Sequence, residues 1–308
     1  MTEEEKYIQQ LEQEQVGCFP VKEDGSLLVT LEGKTERAEE ITKLCKLIRK
    51  LERVSAIHFT NTKLTGTGLK ELEGLPNLRE LGIKGTRIDG LSFSSIQSFP
   101  KLEELYCTPT NRIDEAMVYI GQSERIKTLG LSRVAISDSG FEALSDLKHL
   151  EKIDITGAPI SKGFHTLLNF KNLRELYISE TQADDSTLEI IGHLLNMEKL
   201  SLSYTLVTNK GFPYLADLKN LTTLGFSGQR VTKYGVKQLV TGSVVSSLAH
   251  LPRLEYIHFC DIPFDSESVK TLATLKHVGH IDFDNSCPMT DSDKVFLKRS
   301  LPYSDIVF

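Results

Sequence analysis

The chain has 308 residues and a formal net charge of −6, from 36 Lys and Arg against 42 Asp and Glu, with 40% apolar and 25% charged side chains. That balance fits a soluble folded protein and excludes a nucleic-acid binder held mainly by phosphate contacts. No apolar run approaches the ~20 residues of a membrane-spanning helix, so neither nucleic acid nor membrane is an expected partner.

The N-terminal stretch MTEEEKYIQQLEQEQ has no basic region followed by an apolar one, so it does not read as a secretory leader; removal of a leader upstream stays open. Five scattered cysteines without a CxxC pair argue against a disulfide framework, which makes the cytoplasm the expected compartment. Residues 1–53 read as an N-terminal cap. Glu3 to Gln13 places Tyr7, Ile8 and Leu11 at helical spacing. Asp24-Gly25 lies between Phe19-Pro20-Val21 and the run Leu27–Leu31, which is a hairpin signal. Glu36 to Leu51 carries Ala38, Ile41, Leu44, Cys45, Ile48 and Leu51 on one face of an amphipathic helix.

From Val54 the chain repeats. Val54, Leu78, Leu102, Ile126 and Leu150 open equivalent segments 24 residues apart, and Leu173, Met197, Leu221, Leu254 and Val278 continue at 23, 24, 24, 33 and 24. A period in this range is the signature of a solenoid whose unit is one strand and one return. Within a unit, Leu78, Leu81 and Ile83 point inward and Glu80, Gly82 and Lys84 outward, because side chains alternate along a strand. Ser137, Ser161, Thr208 and Thr232 are placed to cap short return helices. The recurrent Thr62, Thr86, Thr181 and Thr205 are placed to bond turn backbone.

These repeats resemble the leucine-rich-repeat family over roughly residues 54–290, ten strand segments. The return Thr205-Leu206-Val207-Thr208-Asn209-Lys210-Gly211-Phe212 looks like the cysteine-containing, ribonuclease-inhibitor-like subclass, with Thr where that subclass often has Cys. The chain is also similar to bacterial proteins of the family. The resemblance implies an α/β leucine-rich-repeat solenoid, a right-handed α/β horseshoe with a parallel sheet on the concave face and short helices on the convex face. It implies protein recognition in the concavity and brings no catalytic residues with it. The expected organisation is a cap over 1–53, repeats over 54–277, and a last repeat with a C-terminal cap over 278–308. That cap is a closing helix over Asp291–Leu301 and a final strand within Tyr303–Phe308. The 33-residue spacing is assigned to an extra turn at Thr241–Ala249, and the third repeat is one residue longer at Pro109.

The outward strand positions form three columns. The first contains Glu80, Glu104, Lys152, Glu175, Tyr256 and His280; the second His58, Gly82, Tyr106, Gly130, Asp154, Tyr177, Ser201, Gly225, His258 and Asp282; the third ends Ser227, Cys260, Asp284. Gly82, Gly130 and Gly225 are expected to leave backbone open to a partner. Tyr106 and Tyr177, with Glu80, Glu104, Lys152 and Glu175, make a candidate aromatic and charged patch, tyrosine being over-used at binding hot spots. Tyrosine on a strand also follows from β-propensity alone.

Tyr256, His258, Cys260, His280, Asp282 and Asp284 project from two adjacent strands ~4.8 Å apart. His258, His280 and Asp282 are the residue types that ligate zinc, and Cys260, His258 and Asp282 are those of a nucleophilic set. The same residues equally suit a polar end of the sheet with His–Asp hydrogen bonds, since no spacing motif supports a site. The expected function is therefore a monomeric, non-catalytic module that binds a protein without a cofactor. The surface is Glu80, Glu104, Tyr106, Lys152, Asp154, Glu175, Tyr177, Tyr256, His258, His280 and Asp282. A metal-dependent or Cys-His hydrolase is the alternative.

Overall fold

The computed structural model describes residues 2–21, 25–33, 37–228, 240–284 and 287–308. They form two compact units, residues 1–150 and 151–308. Each is a run of strand-and-return repeats of leucine-rich-repeat type.

The first unit begins with α1 (Glu3–Gln13), whose N-terminus is closed by reciprocal bonds between Thr2 and Glu5. Strand β1 (Gly17–Pro20) pairs antiparallel with β2 (Leu27–Glu32), as the hairpin signal requires. Gly25 has φ +72°, suited to a DG turn, while Asp24 lies outside the described residues. Helix α2 (Ala38–Ile48) buries Ile41, Leu44, Cys45 and Ile48; Glu36, where the helix was expected to start, is outside the description. Strands β3 (Val54–Thr60), β4 (Glu80–Ile83), β5 (Glu104–Cys107) and β6 (Thr128–Gly130) then add in parallel, with β3 against β2.

The second unit carries β7 (Lys152–Asp154), β8 (Glu175–Tyr177), β9 (Lys199–Ser201), β10 (Thr223–Ser227), β11 (Tyr256–Cys260), β12 (His280–Phe283) and β13 (Asp305–Val307), all parallel in chain order. Helix Asp291–Ser300 closes the unit and is capped by Thr290, whose hydroxyl accepts from Asp293 N at 3.1 Å. The closing helix and final strand fall where the sequence places them. Phe226 meets Phe259 edge-to-face, and Phe259, Phe283 and Phe308 stack in turn, with successive ring centroids 5.3, 5.2 and 5.2 Å apart. Each such pair adds about 0.5–1.5 kcal/mol beyond its area.

The returns are short and of two kinds, α-helical and 3-10. Leu72, Leu75, Leu78 and Leu81 are all buried, as are Leu215, Leu218, Leu221 and Leu224. These leucines run from the end of the return through the connecting turn into the next strand, so their spacing does not set the winding of the return. Gly90–Ser98, Gly163–Asn169, Phe212–Asp217 and Gly242–Val244 form 3-10 helices, whereas Gly66–Glu71, Ile113–Gly121, Asp138–Glu142, Asp185–Ile191 and Ser266–Leu272 are short α-helices. The expected cap at Ser137 is present, accepting from Gly140 N at 3.2 Å. The returns after Ser161 and Thr208 are 3-10 helices whose N-caps are Lys162 and Gly211, and the Thr208 hydroxyl accepts from Lys210 N at 3.2 Å, just ahead of its helix. Thr232 lies outside the described residues.

The recurrent threonines are buried and do bond turn backbone. Thr86, Thr181 and Thr205 donate to the carbonyls of Ile83, Ile178 and Leu202 at 3.1, 2.7 and 2.8 Å. Thr62 accepts from Leu64 N at 3.4 Å.

The long repeat is corrected. Thr241–Ala249 is the ordinary return: Thr241 N donates to Asn209 Oδ1, and Gly242 N to Pro263 O. From Leu202 to Val207 is five positions, from Phe259 to Phe264 also five, but from Phe226 to Val240 fourteen. The nine extra residues therefore lie before Val240, largely in the segment 229–239 outside the description. Repeat length alone cannot say where in a repeat an insertion sits. The strands stay in register across it, Thr223 opposite Tyr256 and Phe226 opposite Phe259.

Thr181→Val should cost about 1–3 kcal/mol, because it leaves the Ile178 carbonyl and the Ala183 amide without their buried partner. Urea melts of the two proteins test this; an unchanged midpoint would show that the hydroxyl is dispensable.

Candidate functional site

Register fixes which outward side chains are neighbours. In the first unit, His58 faces Gly82, which faces Tyr106, which faces Gly130. The rings lean onto the glycines. A Cβ at Gly82 would lie 2.8 Å from His58 Cδ2, and one at Gly130 2.5 Å from Tyr106 Cδ1. Both glycines are buried, so the expectation that they leave backbone open is wrong: each is the seat of a neighbouring ring. His58 Nε2 lies 2.7 Å from Glu80 Oε1, and Tyr106 donates to Glu104 Oε2 at 2.9 Å with Lys84 Nζ 5.3 Å from its ring centre.

In the second unit the corresponding column reads Asp154, Tyr177, Ser201, Gly225, His258, Asp282. Two small residues in succession separate Tyr177 from His258. Three strand spacings of ~4.8 Å put those side chains ~14 Å apart. A hollow of about 350 Å³ opens there, lined by Tyr177, Lys199, Ser201, Thr223, Gly225, Tyr256, His258 and Asp282. Gly225 is the open one of the three glycines: a Cβ there would meet nothing nearer than Ser201 Oγ at 3.8 Å.

One wall is a charged knot. Glu175 accepts from Lys199 at 2.7 Å, from Lys152 at 3.1 Å and from Tyr177 at 3.0 Å. Burial by itself would raise the Glu175 pKa, but the hydrogen bonds from Lys199, Lys152 and Tyr177 together outweigh it and hold the carboxyl below its ordinary value. Burial, then the Glu175 charge, pushes the Tyr177 phenol up to about 12. Lys152 Nζ sits 5.5 Å from the Tyr177 ring centre. Tyr106 thus centres a constellation in the first unit and Tyr177 another in the second.

The opposite wall is Tyr256, His258 and Asp282. Tyr256 stacks on His280, with centroids 4.8 Å apart and planes 5° from parallel, and donates to Asp282 Oδ2 at 3.4 Å. His258 Nε2 approaches the same oxygen at 3.9 Å. His280 does not join them as a ligand; its Nδ1 lies 2.9 Å from Asp305 Oδ2 on β13. Among the described residues no three His, Cys, Asp or Glu side chains converge as metal ligands, so the His258, His280, Asp282 set is not assembled.

Cys260 does not suit a nucleophile. It is buried, 3.0 Å from the Tyr204 hydroxyl and 3.3 Å from Asp284 Oδ2. Burial, with the carboxylates of Asp284 and Asp261, pushes its thiol up to about 12, against a lowering by Tyr204. An activated cysteine needs the opposite environment.

Sequence reasoning left Tyr204 and Asp305 out because both act across several strands or from the cap. It also left out the pairing of Tyr177 with the Tyr256 cluster. The signal for that was present: Ser201 and Gly225 in succession between two ring-bearing positions.

No protein-family model matches this sequence. Over 143 residues it is 29% identical to a putative adenylate cyclase regulatory protein of Trypanosoma equiperdum; the match takes in 44% of this chain but only 22% of that protein. Among solved structures, an internalin (inlF) of Listeria monocytogenes, a leucine-rich-repeat protein, superposes with TM-score 0.56 at 12% identity, covering 99% of this chain and 93% of its own. These likenesses bear on a leucine-rich-repeat-type fold and not on the cysteine-containing subclass. No helix among the described residues is long and apolar enough to cross a membrane.

Two outcomes follow from the site chemistry. Native Cys260 should resist iodoacetamide near pH ~7.5 and react only after unfolding; peptide mapping after a pulse of label reads this, and rapid native labelling would restore the nucleophile. Because the folded Glu175 value is depressed, its contribution to stability is complete above its ordinary pKa of 4.5 and is lost as pH falls through the folded value. The stability difference between wild type and Glu175→Gln should therefore shrink on acidification below that pH; a difference independent of pH would contradict the assignment.

Proposed function

We propose that this chain is a non-catalytic recognition module that binds a protein through the outward face of its sheet, centred on the hollow between Tyr177 and His258. The observation that carries this reading is the hollow itself. It opens where Ser201 and Gly225 follow one another in the outward column of the second unit, and it is walled by Tyr177 and Tyr256. Tyrosine contributes large contact area at low entropic cost, which is why it recurs at hot spots. The walls are already held by Glu175 and His280, so little ordering is required on binding.

The internalin-like fold supports recognition as the role of such a sheet. The trypanosomal relative is described as a regulatory protein, which agrees in kind, although this chain spans 22% of it. The described cysteines are all free thiols, and a reducing, cytoplasmic setting for a monomer accords with that.

Capture of partners from an extract of the source cell tests the reading. Tyr177→Ala should lose the partner that wild type retains, and Tyr106→Ala should keep it. Loss with Tyr106→Ala alone would move recognition to the first unit; retention by both variants would sink the sheet-face reading.

A further inference from the structure

We infer that the hollow takes an arginine side chain of the partner; this rests on the recognition reading above. The Tyr256 ring is fixed by its stack on His280, so the ring face turned toward Thr223, its register partner on β10, is the one presented to the hollow. A planar guanidinium stacks on such a face. At the hydroxyl end of the same ring stands Asp282, whose carboxylate receives one long hydrogen bond from Tyr256 and a 3.9 Å approach from His258. That carboxylate retains acceptor capacity for a bidentate donor.

The cations on the other wall do not favour an acidic guest. Lys199 is held by Glu175 at 2.7 Å, and the same carboxylate holds Lys152 at 3.1 Å. Beyond the Tyr256 wall the charges are carboxylates, Asp284 and Asp305, the latter paired with His280. A volume of about 350 Å³ suits one long side chain and not a folded segment. Lysine has the charge but neither the plane that stacks nor the fork that meets a carboxylate. Gly225 and Ser201 form a floor low enough for the alkyl stem to lie across.

The probes are N-acetyl-arginine amide, N-acetyl-lysine amide and N-acetyl-glutamate amide, titrated into the full chain while the backbone amides of Ser201 and Gly225 are followed by NMR. The arginine compound should produce saturable shifts at both, the lysine compound weaker ones, and the glutamate compound none. Asp282→Asn, which keeps the side-chain shape, should weaken the arginine response about tenfold or more. Tyr256→Leu should weaken it while leaving the β10–β11 amides in place. Equal response to the glutamate compound, no saturable response to arginine, or an arginine response indifferent to Asp282→Asn would each overturn the assignment. Partner capture sensitive to Tyr177→Ala does not depend on these probes. Capture without probe binding removes the arginine assignment alone, and failure of both removes the recognition reading with it.

Discussion

Everything on the outward face depends on the burial of alternate strand residues in register. Leu81 lies opposite Leu105, which lies opposite Leu129, and Leu176 opposite Leu200, which lies opposite Leu224. Because the strand period is two, a slip of one residue would exchange the buried and exposed sets entirely. The apolar ladder therefore determines not only that the repeats stack but which polar side chains become neighbours. In the second unit the row of phenylalanines from Phe226 to Phe308 reinforces the same constraint across β10, β11, β12 and the residue that follows β13. It keeps β11 in register with β10 although nine additional residues intervene in the chain.

The two units use the same column of the sheet differently. In the first, single glycines alternate with His58 and Tyr106, and each ring lies down on the next strand's glycine. That arrangement fills the face and shields it. In the second, Ser201 and Gly225 come in succession and Tyr177 is tied back by Glu175, so the space above them stays open. A recessed site thus arises from the order of small and large residues in one column, without any change of backbone. The tyrosine hydroxyls, spent on Glu104, Glu175 and Asp282, hold the rings in place.

Much of this was legible in the sequence, since a 24-residue spacing with alternating apolar residues leaves one register that buries them all. The columns and the buried turn threonines follow from it, and the hairpin follows from Asp24-Gly25 between two β-forming runs. Three things did not. The lean of a side chain across strands is not contained in register, so Gly82 and Gly130 read as open when they are covered. The position of an insertion is degenerate where Val231 and Val240, nine residues apart, can each stand for a repeat's return residue, and Thr241–Ala249 was chosen in place of the segment before it. The partner of His280 lies on the final strand, where Asp305 belongs to no repeat and no period points to it.

The measurement that bears most directly on the central claim is the partner affinity of Gly225→Trp. The added Cβ meets no atom closer than 3.8 Å and starts the indole into the hollow, and a cooperative thermal melt checks that the variant is folded. The account predicts a fall in affinity of about a hundredfold or more, the scale of losing a hot spot. A folded variant that binds its partner as tightly as wild type would contradict it.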